Sequence, residues 1–255
     1  MAQLTEERQR EIVEFVRVRQ RATVAELSRH FDVSEATIRR DLEKLHSLGL
    51  IQRVHGGAMP VPQAAPEPPV LQRLHEQHAE KRRIGRAAAA LVRDGETLFL
   101  GSGTTTLEVA RALHGRRGLT VITNALSIAN ELAGDPEIEL IILGGTFRRS
   151  ELSMIGHLTE QALEELRADK VIMGIRAIHP EHGLTNDYLP ETMTDRAIIR
   201  LGQEVIIVAD HTKFGRVSTA FVAPITAATC IITDDGVDPE VVAQIEAMGV
   251  RVSVV

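Results

Sequence analysis

Ser34-Glu35-Ala36-Thr37-Ile38-Arg39-Arg40-Asp41-Leu42-Glu43-Lys44-Leu45 decides the fold of the N-terminal segment. Wound at about 100° per residue, it puts Ile38, Leu42 and Leu45 on one side. Ala36, Thr37, Arg40 and Lys44 fall on the other, with Glu43 beside them and Arg39 on the flank. Ser34 is a good N-cap, and Gly49 follows where such a helix should stop. One face is thus built to pack, and the other carries small and cationic groups of the kind that enter a major groove. The competing account of that face is a solvated one, with the cations paired to Glu35, Asp41 and Glu43.

The flanks decide between these accounts. Upstream, Thr23-Val24-Ala25-Glu26 is a capping-box pattern, and Val24, Leu27 and Phe31 share one face behind it. A helix before it carries Ile12, Phe15 and Val16 at helical spacing. Two short helices joined across His30–Val33 predict a helix-turn-helix. Downstream, Leu50–Val54 reads as a strand and His55-Gly56-Gly57 as a turn, together a small β-wing whose Arg53 and His55 would hold flanking phosphates. The expected contact set on double-stranded DNA is Ser34, Ala36, Thr37, Arg39, Arg40, Lys44, Arg53 and His55. Net charge does not point there: the chain is −6, and residues 1–60 hold ten Lys/Arg against nine Asp/Glu. Charges beyond about 8 Å are largely screened at physiological salt, so the placement of each arginine matters more than the sum.

Residues 4–59 closely resemble the DeoR-type winged helix-turn-helix. The matching residues are Arg8, Ile12, Val24–Leu27, Val33-Ser34-Glu35-Ala36-Thr37-Ile38-Arg39-Arg40-Asp41-Leu42, Leu45, Gly49 and Arg53-Val54-His55-Gly56-Gly57-Ala58. The resemblance implies that Ser34–Leu45 is the recognition helix.

Five prolines in residues 59–69 forbid a helix or central strand. The expected organisation is a winged helix-turn-helix over 1–58, a Pro-rich linker over 59–75 and a body over 76–255. In the body, strands expected at 97–100, 120–123, 138–143, 170–174, 205–209, 230–233 and 250–254 alternate with amphipathic helices. That is an α/β pattern with a largely parallel sheet. Its core must be aliphatic, since aromatics are 3% of the chain and Trp is absent.

Leu98-Phe99-Leu100-Gly101-Ser102-Gly103-Thr104-Thr105-Thr106 runs from strand through a Gly/Ser/Thr loop into a helix. Glycines admit close backbone approach, and the helix N-terminus adds N–H groups and positive potential. The loop reads as a phosphate cradle, or else as an ordinary tight βα turn. It is neither a P-loop nor a full dinucleotide fingerprint. Ligands of open α/β sheets bind at the carboxyl ends of strands. Thr123-Asn124, Gly144-Gly145 with Arg148, and Asp210 with Lys213 are therefore expected to converge on Gly101–Thr106, the charged groups on an anion and Asn124 and Asp210 on sugar hydroxyls.

The body is similar to the DeoR-family sensor domain through Glu80-Lys81-Arg82-Arg83-Ile84, Gly103-Thr104-Thr105, Thr123-Asn124, Gly144-Gly145, Ala168-Asp169-Lys170, Gly183-Leu184 and Ala209–Gly215. This resemblance implies a fold like ribose-5-phosphate isomerase and a phosphorylated sugar or related metabolite as effector. Many members carry Asp where this chain has Gly101, which removes one carboxylate from the sugar-hydroxyl contacts. The implied function is a carbohydrate-gene regulator, a repressor released by its effector, acting on a DNA operator as a homo-oligomer. The alternatives are an activator of the same build and an isomerase-like enzyme fused to a DNA module. Against the enzyme, the isomerase family's paired-aspartate and Lys-Gly-Gly-Gly motifs are missing. No cofactor is expected. Cys230, in an apolar run, reads as a small buried hydrophobe. His179-Pro180-Glu181-His182 reads as an exposed loop rather than a zinc site, because Pro180 opposes a helix presenting both imidazoles. The charged start of the chain and the lack of long apolar stretches predict a cytoplasmic protein without membrane contact.

Overall fold

The computed structural model describes residues 2–47, 50–60 and 68–255, which form two compact units, 1–63 and 64–255. In the first, α1 (Ala2–Arg19) leads through β1 (Ala22–Thr23) to α2 (Val24–Phe31) and α3 (Glu35–Ser47). Ile12, Val16, Leu27, Ile38, Leu42 and Leu45 interlock as its core. The Thr23 box closes as expected: its hydroxyl accepts from the Glu26 N–H at 3.2 Å, and its own N–H donates to the Glu26 carboxylate at 2.8 Å. Asp32 in the left-handed region ends α2, and the Ser28 hydroxyl donates to Val33 O across the turn. Gly49, expected to end α3, lies outside the described residues.

The wing is β2 (Gln52–Val54) paired with β3 (Gly57–Met59), and β1 adds a third strand on the other side of β3. Gly56 turns at φ +79°, and a Cβ on Gly57 would fall 2.1 Å from Ala22 O. Both glycines of the His-Gly-Gly stretch are therefore dictated by the wing itself.

In the second unit come α4 (His78–Ala90), β4 (Thr97–Leu100), α5 (Thr104–Ala112), β5 (Leu119–Thr123), α6 (Leu126–Leu132) and β6 (Ile138–Ile142). A hairpin of β7 (Thr146–Arg148) and β8 (Ser153–Ile155) follows, then α7 (His157–Glu164) and β9 (Ala168–Met173). After these come β10 (Ala177–His179), β11 (Gly183–Asn186), α8 (Leu189–Leu201), β12 (Gly202–Val208), β13 (Ala220–Ala223), β14 (Cys230–Thr233), α9 (Pro239–Ala247) and β15 (Arg251–Val254). Seven of the strands form a parallel sheet in the order β15-β14-β12-β9-β4-β5-β6. Its faces feed two separate cores. Phe99, Val171, Ile207 and Ile231 point into one, and Leu98, Leu100, Ile172, Ile206 and Ile232 into the other. Alternate residues are thus apolar on both sides, as a parallel sheet covered twice requires.

Two features depart from the expected organisation. Of the stretch read as linker, Met59 belongs to β3, and residues 68–75 are fastened to the body. Val70 N–H donates to Ser150 O at 2.7 Å, Arg73 is buried, and Gln72–His75 form a 3₁₀ turn. The hairpin β7–β8 and the small antiparallel sheet β10-β11-β13 were not expected from the sequence.

Helices α4 and α5 meet backbone to backbone at Gly85, where a Cβ would lie 2.6 Å from the Glu108 carbonyl carbon. Gly85→Ala is expected to destabilise the body by about 1–3 kcal/mol through overpacking, read as a lower denaturation midpoint. An unchanged midpoint would contradict this close approach.

Candidate functional site

On α3, Ser34 caps the helix: its Oγ accepts from Thr37 N–H at 3.2 Å and lies 2.9 Å from the Thr37 hydroxyl. Ser34, Ala36, Arg39, Arg40 and Lys44 are exposed, and Thr37 is partly so. Asp41 is not part of this face. It is buried, accepting from Arg8 Nε at 2.7 Å and from Gln9 Nε2 at 2.8 Å, and so bolts α3 to α1. Arg39 pairs with Glu35 at 2.7 Å, and Arg53 on the wing approaches Glu43 at 3.6 Å. Arg40 has no ion-pair partner among the described residues and stands exposed at the centre of the polar face. His55 is exposed at the wing turn.

The carboxyl edge of the parallel sheet holds a cavity of about 350 Å³. Gly101 through Thr106 line it. The threonines are the first turn of α5 rather than loop. Gly103 precedes them at φ +133°, and no side chain caps this helix, so its first N–H groups are open to the cavity. Thr106 is turned inward, its hydroxyl donating to Gly103 O at 2.9 Å. Gly101 touches Met173, whose Cβ would be 3.1 Å from any Cβ placed there.

Of the other expected residues, Asn124, Arg148, Asp210 and Lys213 reach the cavity. Asp210 Oδ1 accepts from the Thr212 N–H and hydroxyl, which shapes the turn leading to Lys213. Arg148 is bound to Glu191, and its guanidinium lies 4.5 Å from the Tyr188 ring centre. Three residues do not line it. Thr123 is fully buried, donating to Leu100 O at 2.8 Å and accepting from Ala125 N–H. Gly144 accepts from the Thr159 hydroxyl through its carbonyl. Gly145 packs so tightly that a Cβ would meet the same hydroxyl at 2.1 Å. Gly145 thus serves packing of the hairpin against α7 rather than the cavity, while a Cβ on Gly144 would meet open space.

Sequence reasoning missed much of the lining. Lys81 is buried, donating to Glu76 O at 2.5 Å and Arg73 O at 3.1 Å. Burial pulls its ammonium below the usual lysine range, against the raising effect of Asp210. Arg73 pairs with Glu151 at 2.5 Å. Asn186, Glu191 and Asp195 form a further polar group on β11 and α8. A signal existed for both helices. Lys81 falls on the buried face of α4 with Ile84, Gly85 and Ala88, and Glu191 and Asp195 fall on that of α8 with Ile198 and Leu201. A charged residue on an apolar helical face marks a buried polar site.

His179, at the end of β10, and His182 in the turn after it have ring centres 4.7 Å apart with the planes tilted, and His179 Nδ1 accepts from the Glu181 N–H at 3.2 Å. Among the described residues, no group of three or more His, Cys, Asp or Glu is placed to hold a metal. Cys230 is buried. No helix among the described residues is long and apolar enough to cross a membrane.

Comparison with known proteins agrees with this division of labour. Residues 8–63 match the model for the DeoR-like helix-turn-helix domain, and residues 76–235 match that for the DeoR C-terminal sensor domain. The chain belongs to the DeoR family. This DeoR-family member is a DNA-binding transcriptional regulator and not an enzyme. It is 38% identical to the transcriptional repressor AccR of Agrobacterium fabrum, over 91% of this chain and 90% of that one. It is 37% identical to the glycerol-3-phosphate regulon repressor of Escherichia coli, over 88% of each. Against ribose 5-phosphate isomerase A of Methanocaldococcus jannaschii, identity is 18% over 55% of each chain, with a TM-score of 0.41.

The Asp41 anchor should be separable from reading of DNA. Asp41→Ala leaves Arg8 and Gln9 without their shared acceptor, and should destabilise the N-terminal unit by about 1–3 kcal/mol. Operator affinity should fall while the preference among operator sequences persists. A variant with altered preference and unchanged stability would contradict the anchoring role.

Proposed function

We propose that this regulator is a repressor of carbohydrate-metabolism genes and leaves its operator when a phosphorylated sugar fills the cavity. The observation that carries the effector reading is the uncapped N-terminus of α5. Gly101–Thr106 line the cavity with backbone N–H groups and the hydroxyls of Ser102, Thr104 and Thr105, with Lys81 and Lys213 on the same lining. Such a terminus is a ready anion site, and a cavity of about 350 Å³ is within the range for small ligands. Relatives named as repressors, one of a glycerol-3-phosphate regulon and one of an aga operon, support the sign and the metabolic setting.

In this reading the domains are the winged helix-turn-helix at 1–58 and the sensor at 76–255. Arg40 reads a base edge, Thr37 and Ser34 lie at the helix end nearest the bases, and Arg39, Lys44, Arg53 and His55 hold phosphates. Paired half-sites call for at least a homodimer, working in the cytoplasm. The effector acts by binding the released state more tightly than the DNA-bound one.

Two experiments test these assignments. Arg40→Ala should weaken specific binding by about 1–3 kcal/mol and relax preference at one operator position. Loss spread evenly over all sequences would make Arg40 a phosphate contact instead. In a thermal-shift screen of sugar phosphates, an effector at a hundred times its Kd should stabilise the sensor by about 2.7 kcal/mol and release operator DNA. Lys213→Ala and Thr104→Val should bind operator normally and lose that response. Full response in both would refute the cradle.

A further inference from the structure

We propose that Asn124, Glu191 and Asp195 form the hydroxyl-reading wall of the cavity and select a neutral polyol or sugar phosphate over a phosphorylated sugar acid. This rests on the phosphorylated-sugar reading above and specifies which class of phosphate ester the site takes.

The first observation is an acceptor with nothing to accept. Asn124, at the end of β5, is 3% exposed and lines the cavity. Its Nδ2 donates to Met154 O at 2.8 Å, which fixes the orientation of the amide. Its Oδ1 is buried with no hydrogen-bond partner among the described residues. Buried amide oxygens are rarely left so, and the vacancy calls for a donor from a ligand.

The second is how the opposite group is wired. Asn186 Nδ2 donates to Glu191 at 3.0 Å and to Asp195 at 2.7 Å, and its Oδ1 accepts from Asp187 N–H at 2.8 Å. Both N–H bonds of this amide are committed, so it donates nothing to a ligand and instead fixes one oxygen of each carboxyl, the second oxygen of each making no hydrogen bond among the described residues.

The charges are accounted for as well. Glu191 is neutralised by Arg148, and Arg176 is engaged by Asp187 at 3.4 Å. Burial, with the Glu191 charge beside it, holds the Asp195 carboxyl well above the usual carboxylate range. Arg148 and Glu191 cancel one another, which gives a ligand ammonium no advantage there. What remains is three oxygens, one each on Asn124, Glu191 and Asp195. A hydroxyl can donate to such oxygens, whereas a carboxylate only accepts and would meet Glu191 and Asn124 Oδ1 head on.

The test is calorimetry on the full chain with two matched pairs of probes: glucitol 6-phosphate against 6-phosphogluconate, and ribitol 5-phosphate against 5-phosphoribonate. Each pair shares its phosphate and chain length and differs in one terminal hydroxymethyl or carboxylate. The polyol phosphate of at least one pair is expected to bind about tenfold or more tighter than its acid. Glu191→Gln, which removes the charge and adds a donor, is expected to narrow that ratio. Equal or tighter binding of the acids, or a ratio that Glu191→Gln leaves unchanged, overturns the hydroxyl-reading wall while the phosphate cradle stands. If none of the four binds, the wall and the phosphorylated-sugar reading fall together.

Discussion

The parallel sheet of the body is sealed on both faces by apolar side chains, and its interior strands are paired laterally on both sides. Polar chemistry is thereby confined to strand ends. At the carboxyl edge, β4 stops at Gly101 and α5 starts at Thr104, and the first N–H groups of that helix have no capping side chain. Everything else at this edge is arranged around that unsatisfied terminus: Asp210 turns the chain toward Lys213, Asn124 closes β5, and Arg148 arrives from an added hairpin. The aliphatic composition and the geometry of the cavity are two results of one constraint.

The N-terminal unit solves a different problem with little net charge. Its acids are not scattered at random against its arginines. Asp41 is spent internally on Arg8 and Gln9, Glu35 holds Arg39 along the helix, and Glu43 approaches the wing at Arg53. Cancellation in the sum therefore coexists with an open guanidinium at Arg40. A charge count could not see this, but the helical wheel of Ser34–Leu45 could.

The sequence was legible where apolar periodicity was long and local. The parallel strands and the helices between them were readable from runs such as Leu98–Leu100 and Cys230–Thr233, as was the strand-to-helix turn at Gly101–Thr106. The short antiparallel pieces were not. Thr146–Arg148 and Gly183–Asn186 are brief and partly polar, and β11 pairs with residues as distant as Ala223. Those unseen pieces carry Arg148 and Asn186, so that part of the cavity lining was hidden with them. Gly145 misled in the other direction, because a glycine that lets two segments pack looks in sequence like one that admits a ligand. Glu191 and Asp195 were not singled out, although their spacing to Ile198 and Leu201 puts them on the buried face of α8.

The fastening of residues 68–75 has a mechanical meaning. Arg73 lines the cavity, grips Glu151 on the hairpin connection and donates through Nε to Pro68 O at 2.8 Å. Pro68 of the proline-rich stretch is thus one side chain away from the cavity. Any displacement of this guanidinium would bear directly on the hold of Pro68, without motion having to cross the sheet.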